Sequence, residues 1–247
     1  MAKNIAHRGF SGRYPENTML AFEKALEAGA EGIEFDVHLT KDGQLVIIHD
    51  ELLDRTTDGK GLVADCTLEE LRRLDASAGY KGVYGVNRIP TLEEYYRLIQ
   101  GRDCYTNIEL KTGVIWYPGI EEKVLEVIDG FGRRKDTVIS SFNHFSILRM
   151  KELAPDLVCG FLEESRIIGP AAYCTKHGVE CWHPLCYDMT EDVVKELKDG
   201  KPPGGHGGYA GKGDRRGHHQ LPRPFPGGPP GIYREIKQRW PPKGGHL

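Results

Sequence analysis

The sequence predicts an α/β fold built on a parallel sheet. Three observations carry that reading. Strand-like and helix-like segments alternate through the first 200 residues, which is the signature of βαβ units. Charged residues recur at the ends of the strand-like segments, where a core would not place them. The 247-residue length falls within the roughly 200–250 residues of a single barrel-type domain.

The elements follow in order. Asn4–Gly9 reads as a short strand. Thr18–Ala28 carries Leu20, Ala21, Ala25 and Ala28 at helical spacing, with Asn17 or Thr18 as its cap. Gly32–Leu39 is a strand, Asp42-Gly43 a hairpin-type turn and Gln44–His49 the returning strand. Residues 51–104 interrupt the rhythm with two helices, Thr67–Leu74 and Thr91–Ile99. Each opens on a capping box, a Thr followed three positions later by Glu. Alternation then resumes: strand Tyr105–Leu110, helix Glu121–Phe131, strand Val138–Phe142, helix Phe145–Leu153. Strand Val158–Leu162, helix Pro170–His177, strand Glu180–His183 and helix Glu191–Lys198 complete it. Six units can be counted in this way; a closed barrel needs about eight.

Composition narrows the function classes. A net charge of -3 creates no field that would draw nucleic acid or an anionic surface. No apolar run approaches the roughly 20 residues of a membrane span, and no signal-peptide pattern opens the chain, so the expected compartment is the cytoplasm. The six cysteines form no C-x-x-C pair and read as free structural thiols. Nothing in the sequence sets an oligomeric state.

Glu34 and Asp36 lie two apart on one strand, so they share a face, while Ile33, Phe35 and Val37 point to the other. Carboxylates so close hold a proton unless a cation neutralises them. Glu109 and Lys111 repeat the pattern on the next strand of the sheet. Three carboxylates without a thiolate suit one hard divalent cation, Mg²⁺ or Ca²⁺. His7 and His49, at two other strand ends, titrate near neutrality and suit proton transfer. Arg8 and Lys111 can meet a phosphate, Arg by its fork and Lys as a point charge. The set suits a phosphodiester. Phe142, Trp182 and His183, at later strand ends, are candidates for lining a pocket, with core packing the equal alternative. His38, although on the face of Asp36, reads as a surface residue, and the acidic helix 191–199 as a solvated one.

The segments Ala6-His7-Arg8-Gly9, Pro15-Glu16-Asn17-Thr18, Ile33-Glu34-Phe35-Asp36-Val37 and Val46–Asp50, followed by Glu109-Leu110-Lys111 and Ser141-Phe142, closely resemble the glycerophosphodiester phosphodiesterase family over about residues 4–199. The resemblance implies a TIM-type (β/α)8 barrel with a small inserted subdomain at 51–104. It implies hydrolysis of a small glycerophosphodiester to glycerol 3-phosphate and an alcohol, by way of a cyclic phosphate if the substrate's own hydroxyl attacks first. By the same resemblance Glu34, Asp36 and Glu109 ligate the metal, and His7 and His49 are the acid and base. Arg8 and Lys111 hold the phosphate, Asp50 orients His49, and Asn17 supports the site from behind. Two alternatives remain: a related lysophospholipase D-type lipid phosphodiesterase, and a non-catalytic metal-binding remnant of the barrel.

After Gly200 the composition changes. Residues 201–247 are Gly/Pro-rich, and no apolar strand is visible where the family would place its seventh and eighth. Such a composition buries too little surface to offset its ordering entropy. Read one nucleotide later, permitted codons for Gly213–Arg223 spell Gly-Ile-Asp-Gly-Val-Ile-Thr-Asn-Phe-Pro-Asp, which looks like a last barrel strand. The tail is therefore expected to be a frameshift product, against the alternative of a native disordered tail, and the coding DNA decides between them.

Overall fold

The structure, a computed structural model, describes residues 3–200. The expectations for residues 201–247, including the last two strands and the frameshift, lie outside the described residues.

Strands β1 (Ile5–His7), β2 (Gly32–Leu39), β4 (Tyr105–Leu110), β5 (Thr137–Ser141), β6 (Val158–Glu163) and β7 (Cys181–Pro184) form one parallel sheet in that spatial order. The short β3 (Leu45–Ile47) pairs antiparallel with the end of β2. Helices α1 (Met19–Glu27), α4 (Ile120–Gly130), α5 (His144–Leu153), α6 (Pro170–His177) and α7 (Glu191–Asp199) follow β1, β4, β5, β6 and β7 in turn. Strands laid down in sequential order and joined by helical crossovers give the parallel sheet that the alternation predicts, in the TIM-type arrangement that the resemblance implies.

Period-two alternation sorts each strand into two faces. The helix-facing set includes Ile33, Phe35, Val37, Ile108, Ile139 and Phe161, all buried in one core. Phe35 packs edge-on against Tyr95 with ring centroids 4.4 Å apart, and Phe22 of α1 closes the cluster at 5.6 Å from Phe35. Each such fully buried side chain contributes about 1.5–3 kcal/mol of transfer free energy. The opposite face tightens towards the bottom of the sheet. A Cβ at Gly32 would lie 2.5 Å from Ile5 Cδ1 and 2.6 Å from the Tyr105 carbonyl oxygen, so no side chain fits there.

Between β3 and β4 the chain adds α2 (Leu68–Leu71) and α3 (Leu92–Leu98). Both capping boxes form, at Thr67/Glu70 and Thr91/Glu94. Helix α2 is shorter than the 67–74 segment expected. Its chain tightens into i→i−3 bonds, Arg73 N–H to Glu70 O and Leu74 N–H to Leu71 O. This turn keeps Leu71 and Leu74 in a second, smaller core with Leu53, Val63 and Ile89. Helix α7 contributes no buried side chain, as a solvated acidic face requires.

Candidate active site

The register of the sheet assembles the site. His7 sits opposite Glu34, and Asp36 opposite Glu109, so neighbouring strands bring the three carboxylates to one end of the sheet. One oxygen from each of Glu34, Asp36 and Glu109 lies within 4.8 Å of the others. Burial and the charges of Asp36 and Glu109 raise Glu34 well above the usual carboxylate range. Burial and Asp36 likewise raise Glu109, against the pull of Lys111. Asp36 is 1% exposed, and its Oδ1 is a buried oxygen without a hydrogen-bond partner. An all-oxygen set with an orphaned lone pair fits a hard divalent cation held by Glu34, Asp36 and Glu109.

Two residues that flank this centre hold unusual backbones. Arg8 (φ 55°) and Asn17 (φ 56°) both lie in the left-handed region, which costs a non-glycine residue free energy and persists only where the surroundings enforce it. Here they do. The Arg8 N–H donates to the Glu34 carbonyl (2.8 Å) and to Glu34 Oε2 (3.0 Å), while the Asn17 N–H donates to the Arg8 carbonyl at 3.1 Å. The following Gly9 has φ 76°, and a Cβ there would meet the Ala21 backbone at 2.7 Å. Asn17 Nδ2 then donates to Asp36 Oδ2 at 2.8 Å, and the Arg8 guanidinium reaches Asp36 Oδ2 at 3.5 Å.

His49 Nδ1 is 2.5 Å from Asp50 Oδ1. Burial would raise Asp50, but hydrogen bonds from His49 and Arg55 outweigh it and hold the carboxyl well below its usual range. An ionised carboxylate only accepts, so the Nδ1 proton donates to it and Nε2 carries the free lone pair. That Nε2 is 4.0 Å from Asp36 Oδ1 and 3.4 Å from Lys111 Nζ. Lys111 also donates to Glu109 Oε1 at 2.8 Å. Burial works against its charge, yet Glu109 and Asp36 keep it above its usual value. His7 Nε2 is 3.8 Å from Glu34 Oε2, with the side chain 68% exposed at the mouth. The structure therefore brings His7, Arg8, Asn17, Glu34, Asp36, His49, Glu109 and Lys111 together.

Other candidates sit elsewhere. Trp182 does not line the site. It lies on the helix-facing side of β7, 8% exposed in the main core, opposite Phe161 and near Tyr173; its place is a correction to the pocket reading. His183 is on the inner face, where Nε2 would be 2.9 Å from a Cβ at Gly160, and burial lowers it to about 4. Phe142 follows β5 and is 43% exposed. His38 is a second correction, being fully buried rather than on the surface. Its Nε2 is 3.1 Å from the His49 carbonyl, which can only accept, so Nε2 carries the proton and Nδ1 accepts from the Tyr117 hydroxyl at 2.9 Å. Burial lowers it to about 3, so it stays neutral. None of the six cysteines is in a disulfide: Cys104, Cys159, Cys174 and Cys181 are buried, Cys66 is half-buried and Cys186 exposed.

Sequence reasoning passed over Glu16 and Arg55. Glu16 lies inside a motif segment, but a single acid there carries no periodic signal. Arg55 stands in a polar loop after β3, where only the folded geometry separates it from a solvated arginine.

The family model described as "Glycerophosphoryl diester phosphodiesterase family" matches residues 7–195. The chain is 49% identical to a glycerophosphodiester phosphodiesterase of Bacillus altitudinis, over 80% of this chain and 82% of that one. It is 45% identical to a glycerophosphodiester phosphodiesterase of Caldanaerobacter subterraneus subsp. tengcongensis, over 78% of this chain and 80% of the relative. Among solved structures it is similar to an Oleispira antarctica phosphodiesterase in complex with the product sn-glycerol-3-phosphate, with TM-score 0.73, 32% identity and 81% of each chain covered.

Proposed function

The chain belongs to the glycerophosphoryl diester phosphodiesterase family, and from that premise we propose that it hydrolyses small glycerophosphodiesters to glycerol 3-phosphate and an alcohol, with one divalent cation and two histidine proton carriers. The observation that carries the reading is the carboxylate cluster of Glu34, Asp36 and Glu109, with its orphaned Asp36 oxygen, facing two histidines and two cations.

The geometry supports a division of labour. Glu34, Asp36 and Glu109 would hold Mg²⁺ or Ca²⁺. When bound, the cation supplies positive charge to the phosphate oxygens. Arg8 and Lys111 add fixed charge on either side of Asp36, where negative charge grows in the transition state. His49 accepts at Nε2 the proton of the attacking hydroxyl, whose oxygen bonds phosphorus as the bond from phosphorus to the alcohol oxygen breaks, since Asp50 behind Nδ1 stabilises the imidazolium that results. His7, exposed at the mouth beside Glu34, donates a proton to the departing alkoxide. Phe142, exposed at the end of β5, would touch the substrate's alcohol part.

A second reading has one observation in its favour. Val114, Trp116, Phe142 and Phe145 are exposed in the segments that follow β4 and β5, an apolar rim suited to an acyl chain. Metal-dependent release of glycerol 3-phosphate from glycerophosphocholine tests the main reading. Turnover of lysophosphatidylcholine in preference would favour the lipid phosphodiesterase. A folded, cation-binding protein that turns over neither would be a binding remnant.

A further inference from the structure

The charged side chains around the site close into a ring. From His49 the chain of contacts runs to Asp50, from Asp50 to Arg55, from Arg55 to Glu16, from Glu16 to Arg8, and from Arg8 to Asp36, which faces His49 again. Arg55 is the keystone. Its Nε donates to Asp50 Oδ2 at 2.7 Å and its Nη2 to Asp50 Oδ1 at 3.0 Å. The other edge of the same guanidinium donates to Glu16, Nη1 to Oε2 at 2.9 Å and Nη2 to Oε1 at 2.7 Å. Glu16 Oε1 also accepts from Arg8 Nη1 at 3.0 Å.

We infer that Arg55 is a positioning residue for the proposed hydrolysis, holding the His49–Asp50 pair and the Glu16–Arg8 pair at a fixed separation. The inference rests on the functional reading above.

Three physical points support it. A guanidinium with both edges engaged in bidentate bonds fixes two carboxylates in plane, which an isolated lysine could not do. Asp50 has two acceptor oxygens, and Arg55 bonds both, so the rotamer that presents Oδ1 to His49 is the one Arg55 selects. Without Arg55 the Asp50 and Glu16 carboxylates would lose the cation they share and repel each other, each left with a single cationic or hydrogen-bonding neighbour, His49 for Asp50 and Arg8 for Glu16. Arg55 touches none of the metal-ligand candidates and is 47% exposed, so its contribution to the core is small. It comes from the segment between β3 and β4, which thereby contributes to the site as well as to its own small core.

The test compares wild type with Arg55→Met, Arg55→Lys, Asp50→Asn and the double variant Asp50→Asn/Arg55→Met, using glycerophosphocholine with saturating Mg²⁺ or Ca²⁺. Arg55→Met is expected to lower kcat about 10–100-fold, the usual effect of removing a partner behind an active group, with Arg55→Lys intermediate. Since Arg55 acts through Asp50 as well as through Glu16, the double variant is expected to fall well short of the product of the two single effects, as coupled positions are non-additive. A second readout does not depend on turnover. The His49 Nδ1 proton, in its short bond to Asp50, is expected downfield in the proton NMR spectrum of the folded wild type, and lost or shifted in Arg55→Met. Wild-type kcat in Arg55→Met, multiplying effects in the double variant, or an unchanged Nδ1 signal would overturn the inference. A wild type without turnover would sink the functional reading instead, and the NMR comparison would still decide the role of Arg55.

Discussion

Asn17 bonds Asp36 through its side chain, Nδ2 to Oδ2 at 2.8 Å, while its own backbone sits at φ 56°. One residue thus satisfies a buried carboxylate oxygen and turns the chain. Asn17→Ala should lose both services and destabilise the fold by about 1–3 kcal/mol, the cost of an unsatisfied buried group. Asn17→Gly removes the same bond but tolerates the left-handed backbone, so it should be the milder variant in urea denaturation. Equal midpoints for the two would refute the backbone part of this account.

Three carboxylate oxygens within 4.8 Å repel one another in the cation-free protein. Glu34→Gln should therefore raise the melting temperature measured in EDTA, although it removes a proposed ligand. Mg²⁺ or Ca²⁺ should shift the wild-type melting temperature upward and the variant's not, since only a bound cation stabilises by mass action. Thermal scans with and without cation separate the two effects.

Cation binding should release protons. Burial and neighbouring charge raise Glu34 and Glu109, so each holds a proton to higher pH in the folded cation-free state than in the unfolded chain. The stability tied to those protons is full below the unfolded carboxylate value and is lost as pH rises through the raised folded value. Cation affinity moves the opposite way and tightens across that window. Calorimetric titration in two buffers of different ionisation enthalpy measures the released protons; identical heats in both would count against it.

His49→Ala should lower kcat by about 10²–10⁴-fold, the range for losing a general acid or base, and leave cation affinity within a few-fold of wild type. The separation is expected because His49 Nε2 stands 4.0 Å from Asp36 Oδ1 and is no member of the carboxylate cluster. A parallel loss of cation binding would assign it a ligand role instead.

Much of the candidate site could be read before folding. Glu34, Asp36, Glu109 and Lys111 were legible because a strand has period two, so residues two apart must share a face. His49 and Asp50 were legible as adjacent chemistry at a strand end. Parity alone did not settle His38: it lies on the face of Asp36, but its burial depends on Tyr117, which arrives from 79 positions away. Trp182 was misjudged because β7 is short, and its few residues do not reveal which parity faces the helices. Arg55 was illegible for a different reason. Its partners Glu16 and Asp50 lie 39 and 5 positions away, and no local pattern links a loop arginine to a pair that only the fold brings together.

The order of the strands also bears on how the protein is made. Every residue given a role in holding the cation or moving a proton lies between His7 and Lys111, on or just after β1 to β4, and those strands pair with each other. Chains fold from the N-terminus as they leave the ribosome, at about 5–20 residues per second. The chemical centre can therefore gather while β5 to β7 are still being synthesised. The later strands then serve to enclose an apparatus that is already aligned.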